Sequence, residues 1–168
     1  FNLAITPLIG AVAAGNCVFL KPAHETPHTS KVTEKIIREA FQPEHVTTVT
    51  GVGSEIGQLL LENLVFNHIF FTGSANTGKW IMEKAAKNLT PVTLELGGKC
   101  PAIIDRTARI NTITQRIVWG KLFNAGQTCL AVDYVLVHED LKSAFITKFK
   151  QEIESRYGRD IAQSPDYS

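Results

Sequence analysis

Short apolar segments alternate with amphipathic ones along nearly the whole chain, and this alternation most limits what it can fold into. CVFL at 17–20, VTTVT at 46–50, HIFFT at 68–72, PVTLEL at 91–96, PAII at 101–104 and VDYVLV at 132–137 read as strands. The intervening segments 29–41, 54–63, 78–89, 110–124 and 141–157 carry apolar residues at helical spacing. In the first, Val32, Ile36, Ile37, Ala40 and Phe41 share a face; in the last, Ala144, Phe145, Phe149 and Ile153 do. Ser54 is placed to cap the second helix and Gly158 to end the last. Strand–helix alternation of this kind predicts an α/β fold with a doubly wound, mostly parallel sheet. Such sheets bind ligands beyond the carboxyl ends of their strands, which directs attention to Lys21, Gly51, Gly73 and Gly97.

Composition narrows the function classes. The 168 residues suit one domain or parts of two, and the pair Gly97-Gly98 between two apolar strands marks the expected seam, giving segments 1–97 and 98–168. Seventeen basic and sixteen acidic residues are interspersed and leave a net charge of +1, so no nucleic-acid partner is implied. Three cysteines, none in a CxxC spacing, argue against a disulfide framework or zinc site and favour a cytoplasmic protein. His24 and His28 are four apart, but Pro27 between them argues against a shared helical face, and no metal site is expected. LAITPLIGAVAAG at 3–15 has the look of a signal-peptide core, yet it lacks a basic flank and is interrupted by Pro7 and Gly10. It reads as a buried helix, and a chain opening on Phe1 reads as part of something longer.

Four segments could carry chemistry. FFTGSANTGKW at 70–80 places Gly73, Ser74, Ala75, Asn76, Thr77 and Gly78 between a strand and a helix, where backbone N–H groups can receive a phosphate. The pattern nearly spells a P-loop, but Trp80 stands where a hydroxyl must hold magnesium. A P-loop-like nucleotide-binding module therefore stays open only as an alternative, with Asp105 as its one candidate acid. GVGSEIG at 51–57 is one residue too long for the dinucleotide fingerprint. Glu95 ends an apolar strand before two glycines, a setting that raises a carboxyl pKa and suits a general base, or else it is an acid on a solvated edge. Cys129, in NAGQTC, follows a helix and a glycine, where a thiol is accessible enough to act as a nucleophile. Cys17 and Cys100 read as small buried hydrophobes.

Taken together, FLKP at 19–22, FTGS with Gly78, LELGGK at 94–99 and GQTC at 126–129 closely resemble the aldehyde dehydrogenase superfamily, in the family's order. LTPVTLE at 89–95 and AVDY at 131–134 most resemble its class 3 branch. The resemblance implies a Rossmann-like cofactor domain and the start of a second α/β catalytic domain. It implies oxidation of an aldehyde (medium-chain, fatty or aromatic) to a carboxylic acid with NAD or NADP, in a full-length protein that is a homodimer. Cys129 would form a thiohemiacetal and then a thioester, which water activated by Glu95 would hydrolyse. Lys21 would hydrogen-bond the adenine ribose, Gly73 to Gly78 would form the dinucleotide loop with Ser74 near the pyrophosphate, and Leu96 and Gly97 would pass beside the nicotinamide. A coenzyme-A-acylating relative is the alternative within the superfamily; Glu95, a hydrolytic base, argues against it.

Two departures from the family pattern stand out. His24 occupies a position where the family usually has glutamate against the ribose hydroxyls, and the resemblance implies that this exchange would relax selectivity toward NADP. The family's oxyanion-hole asparagine and its Glu-x-Phe motif would fall outside residues 1–168. Losing an oxyanion donor alone costs about 10²–10³ in rate, so this chain by itself is expected to be inactive or nearly so.

Overall fold

Six short strands pair in parallel, each pair bridged by a helix, as expected when β-branched and aromatic runs are separated by amphipathic segments too long for a hairpin. The computed structural model describes residues 1–167. Helix α1 (Asn2–Ala13) leads into β1 (Val18–Leu20), α2 (Pro27–Ala40), β2 (Val46–Thr48), α3 (Gly53–Asn63), β3 (Ile69–Thr72), α4 (Ala75–Ala86) and β4 (Val92–Glu95). Strand β5 (Cys100–Ile104), α5 (Ile110–Leu122), β6 (Val132–Val137) and α6 (Glu139–Tyr157) follow. The chain is therefore α/β. Its hydrogen bonds join β1 to β2, β3 to β4 and β5 to β6, giving three two-stranded parallel pairs among the described residues.

The chain divides into two compact units, the first Phe1–Glu95 and the second from Leu96 onward. In the first, Leu8, Ile37 and Val46 form a core onto which Ile5, Val12, Val18, Leu20 and Phe41 pack. In the second, Ile104, Ile117 and Phe145 play that part, with Ala102, Val132, Val135, Val137 and Phe149 around them. Each large core side chain contributes about 1.5–3 kcal/mol by leaving water.

Several local expectations shift. Helix α1 buries only Leu8; Leu3 and Ile9 are exposed, so it is not the buried helix expected. In α2, Val32 and Ile36 face solvent and the buried stripe is Ser30, Thr33 and Ile37; the Thr33 hydroxyl is satisfied by donating to Thr29 O at 2.8 Å. Helix α3 begins at Gly53 after Val52, so Ser54 lies inside it and makes no capping bond. Cys17 is exposed rather than buried. Helix α4 begins at Ala75, three residues before the expected 78, because Ser74 caps it: Ser74 Oγ accepts from Thr77 N at 3.2 Å. Gly78 is buried within its first turn. Among the described residues no helix is long and apolar enough to cross a membrane, and no group of His, Cys, Asp and Glu could hold a metal ion.

Candidate active site

In the first unit, the carboxyl ends of β1 and β2 bring the side chains of Lys21 and His24 together. Lys21, directly after β1, donates from Nζ to Pro22 O at 2.8 Å and Gly51 O at 3.4 Å. Burial pushes its pKa below the usual lysine range, against the opposing pull of Glu25. A Cβ at Gly53, the first residue of α3, would stand 3.7 Å from Lys21 Cε and 3.9 Å from His24 Nδ1. The space above Gly53 is thus rimmed by Lys21 and His24. His24 Nδ1 also lies 3.3 Å from Glu25 Oε2.

The carboxyl end of β3 delivers the second element. Gly73 follows β3, and its N–H donates to Glu95 O at 3.0 Å, continuing the β3–β4 register that pairs Thr72 with Glu95. A Cβ on Gly73 would come within 2.4 Å of the Phe71 ring. The turn closes when Gly78 N–H donates to Ser74 O at 2.9 Å. Ser74, Ala75, Asn76 and Thr77 are exposed, and a helix leaves its first N–H groups without intrahelical partners. The 12-residue α4 adds its positive dipole end. That donor set fits the pyrophosphate of a dinucleotide. It does not fit magnesium-bound nucleoside triphosphate, since Trp80, whose ring would stand 3.5 Å from a Cβ placed on Gly57, offers no hydroxyl. Asp105, the acid of the P-loop alternative, has its Oδ1 held by Thr107 N–H at 2.7 Å and Thr107 Oγ at 2.6 Å, which lowers its pKa.

Glu95 closes β4 and is exposed; the flanking Leu94 and Leu96 are half-buried. The apolar enclosure that the sequence suggested for this carboxylate is absent: the half-buried run of β4 stops at Leu94 and Glu95 is exposed at the strand's end.

In the second unit, Cys129 sits at the corner of a tight turn. Ala131 N–H donates to Thr128 O at 3.0 Å, so Cys129 and Leu130 are its central residues, both exposed. The approach to that turn is unusual. After α5 the backbone turns left-handed at Asn124 (φ 52), Ala125 (φ 52) and Gly126 (φ 77). Three hydrogen bonds bind this turn to Gln127: Gln127 N–H to Asn124 O at 3.0 Å, Gln127 Nε2 to Asn124 O at 3.3 Å, and Asn124 Nδ2 to Gln127 O at 3.2 Å. The turn ends α5 two residues before the expected position.

Gly98 approaches the Cys129 loop from the other side. A Cβ there would lie 2.4 Å from Cys129 O, a distance no real side chain tolerates. Leu96 and Gly97 precede it, and nothing stands within 4 Å of a Cβ placed on Gly97. A register shift between Cys100 and Pro101 pairs Cys100 with Val132 and Pro101 with Tyr134, leaving Asp133 as the extra residue. Asp133 Oδ2 lies 3.3 Å from Lys99 Nζ. The Cys100 thiol donates to Cys129 O at 3.5 Å.

Sequence reasoning named Lys21, Glu95, Cys129 and the Gly73–Gly78 turn but missed Gly53, Gly98 and the left-handed turn. Asn124 and Gly126, both tolerant of positive φ, were the available signal for that turn; nothing in an alanine announces it.

The profile of the aldehyde dehydrogenase family matches residues 1–167. The chain is 47% identical over 167 residues to 4,4'-diaponeurosporen-aldehyde dehydrogenase of Staphylococcus aureus, covering 99% of this chain and 36% of that protein. It is 44% identical over 167 residues to aldehyde dehydrogenase family 3 member A2 of Macaca fascicularis, covering 99% of this chain and 34% of that protein. The solved structure of substrate-bound Staphylococcus aureus AldH superposes with a TM-score of 0.90 at 46% identity, over 99% of this chain and 36% of that one. The chain spans about a third of the length of these relatives.

Proposed function

The chain belongs to the aldehyde dehydrogenase family, and from that premise we propose that it carries the dinucleotide-binding and nucleophilic parts of an NAD- or NADP-dependent oxidation of an aldehyde to a carboxylic acid. The observation that carries this reading is Cys129 exposed at the corner of its turn, between a hydrogen-bonded left-handed bend and the close approach of Gly98. Residues 1–97 serve as the cofactor-binding part and 98–168 as the beginning of the catalytic part.

Lys21 hydrogen-bonds the adenine ribose through the N–H that its two carbonyl partners leave free. The turn Gly73–Gly78, with Ala75, Asn76 and Thr77 at the head of α4 and Ser74 as its cap, holds the pyrophosphate. Leu96 and Gly97 border the nicotinamide. When bound, the dinucleotide supplies a hydride acceptor.

The Cys129 thiolate attacks the aldehyde carbon, and the carbonyl oxygen takes the negative charge of a thiohemiacetal. Loss of hydride leaves a thioester on Cys129. Glu95 takes a proton from the water that attacks the thioester carbon, and Cys129 departs as thiolate with release of the acid. The substrate is a medium-chain, fatty or aromatic aldehyde, the working protein a cytoplasmic homodimer. His24 in place of an acid beside the ribose admits the 2′-phosphate of NADP.

The test is aldehyde-dependent formation of reduced nicotinamide by a polypeptide of the relatives' length that contains this sequence. Cys129→Ser abolishes acid formation. Glu95→Gln forms reduced nicotinamide in a single burst and then stalls at the thioester. His24→Glu lowers the efficiency with NADP relative to NAD. Undiminished steady-state turnover by Cys129→Ser overturns the mechanism, and equal cofactor ratios with and without His24→Glu overturn the selectivity reading. Calorimetry on the 168-residue chain separates the nucleotide alternative: ATP with magnesium binding more tightly than either dinucleotide would revive the P-loop.

A further inference from the structure

Cys100 has no part in the mechanism above, yet its thiol points at the nucleophile's own residue. Its Sγ–H donates to Cys129 O at 3.5 Å. Cys100 opens β5 opposite Val132, beside the register shift that leaves Asp133 as the extra residue of β6. The space between the two residues is kept clear by Gly98, whose absent Cβ would sit 3.3 Å from Cys100 Sγ and 2.4 Å from Cys129 O. Cys100 is half-buried and Cys129 exposed, so an oxidant in solution meets Cys129 first.

We propose that Cys100 is a resolving thiol for Cys129, closing a reversible disulfide when a peroxide oxidises the nucleophile. The chemistry balances in two steps. The Cys129 thiolate attacks one oxygen of the peroxide; the S–O bond forms, the O–O bond breaks, and the departing hydroxide takes a proton to become water. Cys129 is then a sulfenic acid. Cys100 attacks the sulfenyl sulfur; the S–S bond forms, the S–O bond breaks, and the second hydroxide takes the Cys100 proton. Two thiols are oxidised and one hydrogen peroxide is reduced to two waters. A disulfide asks its Cβ atoms to stand about 3.5–4.5 Å apart, and the turn carrying Cys129 is closed by the single bond from Ala131 N–H to Thr128 O. The disulfide holds Cys129 short of sulfinic acid, from which thiols do not recover it. Its consequence for turnover rests on Cys129 being the nucleophile; its formation does not.

The test reads mass rather than activity, so failure of the dehydrogenase reading leaves it interpretable. The reduced 168-residue chain is exposed to hydrogen peroxide and digested with trypsin without reductant. Residues 100–106 are expected joined to residues 122–142 at a mass two hydrogens below their sum, and dithiothreitol separates them. In Cys100→Ser, Cys129 instead runs on to sulfinic acid and dithiothreitol does not restore it. Cys100→Ala, which adds no hydroxyl to a half-buried site, gives the same result. Cys17→Ser leaves the link intact. Three outcomes overturn the proposal: sulfinic acid forming at the same rate with and without Cys100, a link from Cys129 to Cys17, or Cys100 and Cys129 both remaining reduced.

Discussion

The turn that enters α4 and the turn that leaves α5 both present exposed functional atoms, but their backbones are unlike. At the first, Ser74 has an ordinary extended conformation (φ −73, ψ 151), and one side-chain cap organises the helix start. What it offers a ligand is backbone N–H, which any residue but proline supplies. At the second, Asn124, Ala125 and Gly126 run left-handed in succession. That conformation costs roughly 1–2 kcal/mol for each non-glycine residue, offset here by the hydrogen bonds between Asn124 and Gln127. A phosphate-binding turn can be built from relaxed backbone because its groups are generic. A turn that must set one thiol at one place uses a conformation the chain does not adopt unaided, and holds it by contacts from elsewhere.

The largest test of that contrast is Gly98→Ala. Its Cβ cannot coexist with Cys129 O at 2.4 Å, so the Cys129 turn must move. Displacing a reacting group by about 1 Å can cost about 10²-fold in rate. Steady-state kinetics of the relatives'-length protein should show that loss in kcat, with dinucleotide affinity measured by calorimetry unchanged. An equal loss in affinity would mean the two turns are not separable.

Next is Gly126→Ala, which meets both a positive φ of 77 and Lys121 O at 2.9 Å. Strained backbone of this kind is worth about 1–3 kcal/mol, and urea denaturation of the 168-residue chain should lose that much. Ser74→Ala removes the cap of α4 and should cost about 1 kcal/mol by the same measurement, weakening dinucleotide binding in parallel. The smallest effect is expected at Ala125. Ala125→Gly relieves roughly 1–2 kcal/mol of left-handed strain and gives back about 0.5–1 kcal/mol of backbone freedom. The result is a small net stabilisation, visible as a slightly raised Tm. Destabilisation by Ala125→Gly would mean that the turn is not strained.

Leu89 shows the limit of reading helix ends from sequence. Apolar residues at helical spacing predict a helix running to 89, yet α4 ends at Ala86 and Leu89 is 90% exposed at φ 54. Thr90 N–H bonds to Ala85 O at 3.1 Å and Leu89 N–H to Ala86 O at 3.2 Å, the paired bonds that close a helix at a left-handed residue. Glycine is usual there, so leucine gave no warning. The cap at Ser74, by contrast, is present in its residue type, and only the expectation that the helix begins at Gly78 hid it.

The sequence by itself determined the order of strands and helices, the parallel pairing, the glycine turn before α4 and the candidate roles of Cys129, Glu95 and Lys21. The elements and the candidacy of Cys129 and Glu95 follow from side-chain periodicity or from what a residue type can do chemically, both local properties, whereas the role of Lys21 is what the family resemblance implies. Tertiary structure decided that Lys21 and His24 meet over Gly53, that Gly98 must lack a side chain, and that Cys100 reaches toward Cys129. Those relations join residues about thirty positions apart through strand register and one bulge. A register is set by the sum of many packing contacts, so no single stretch of the sequence contains it.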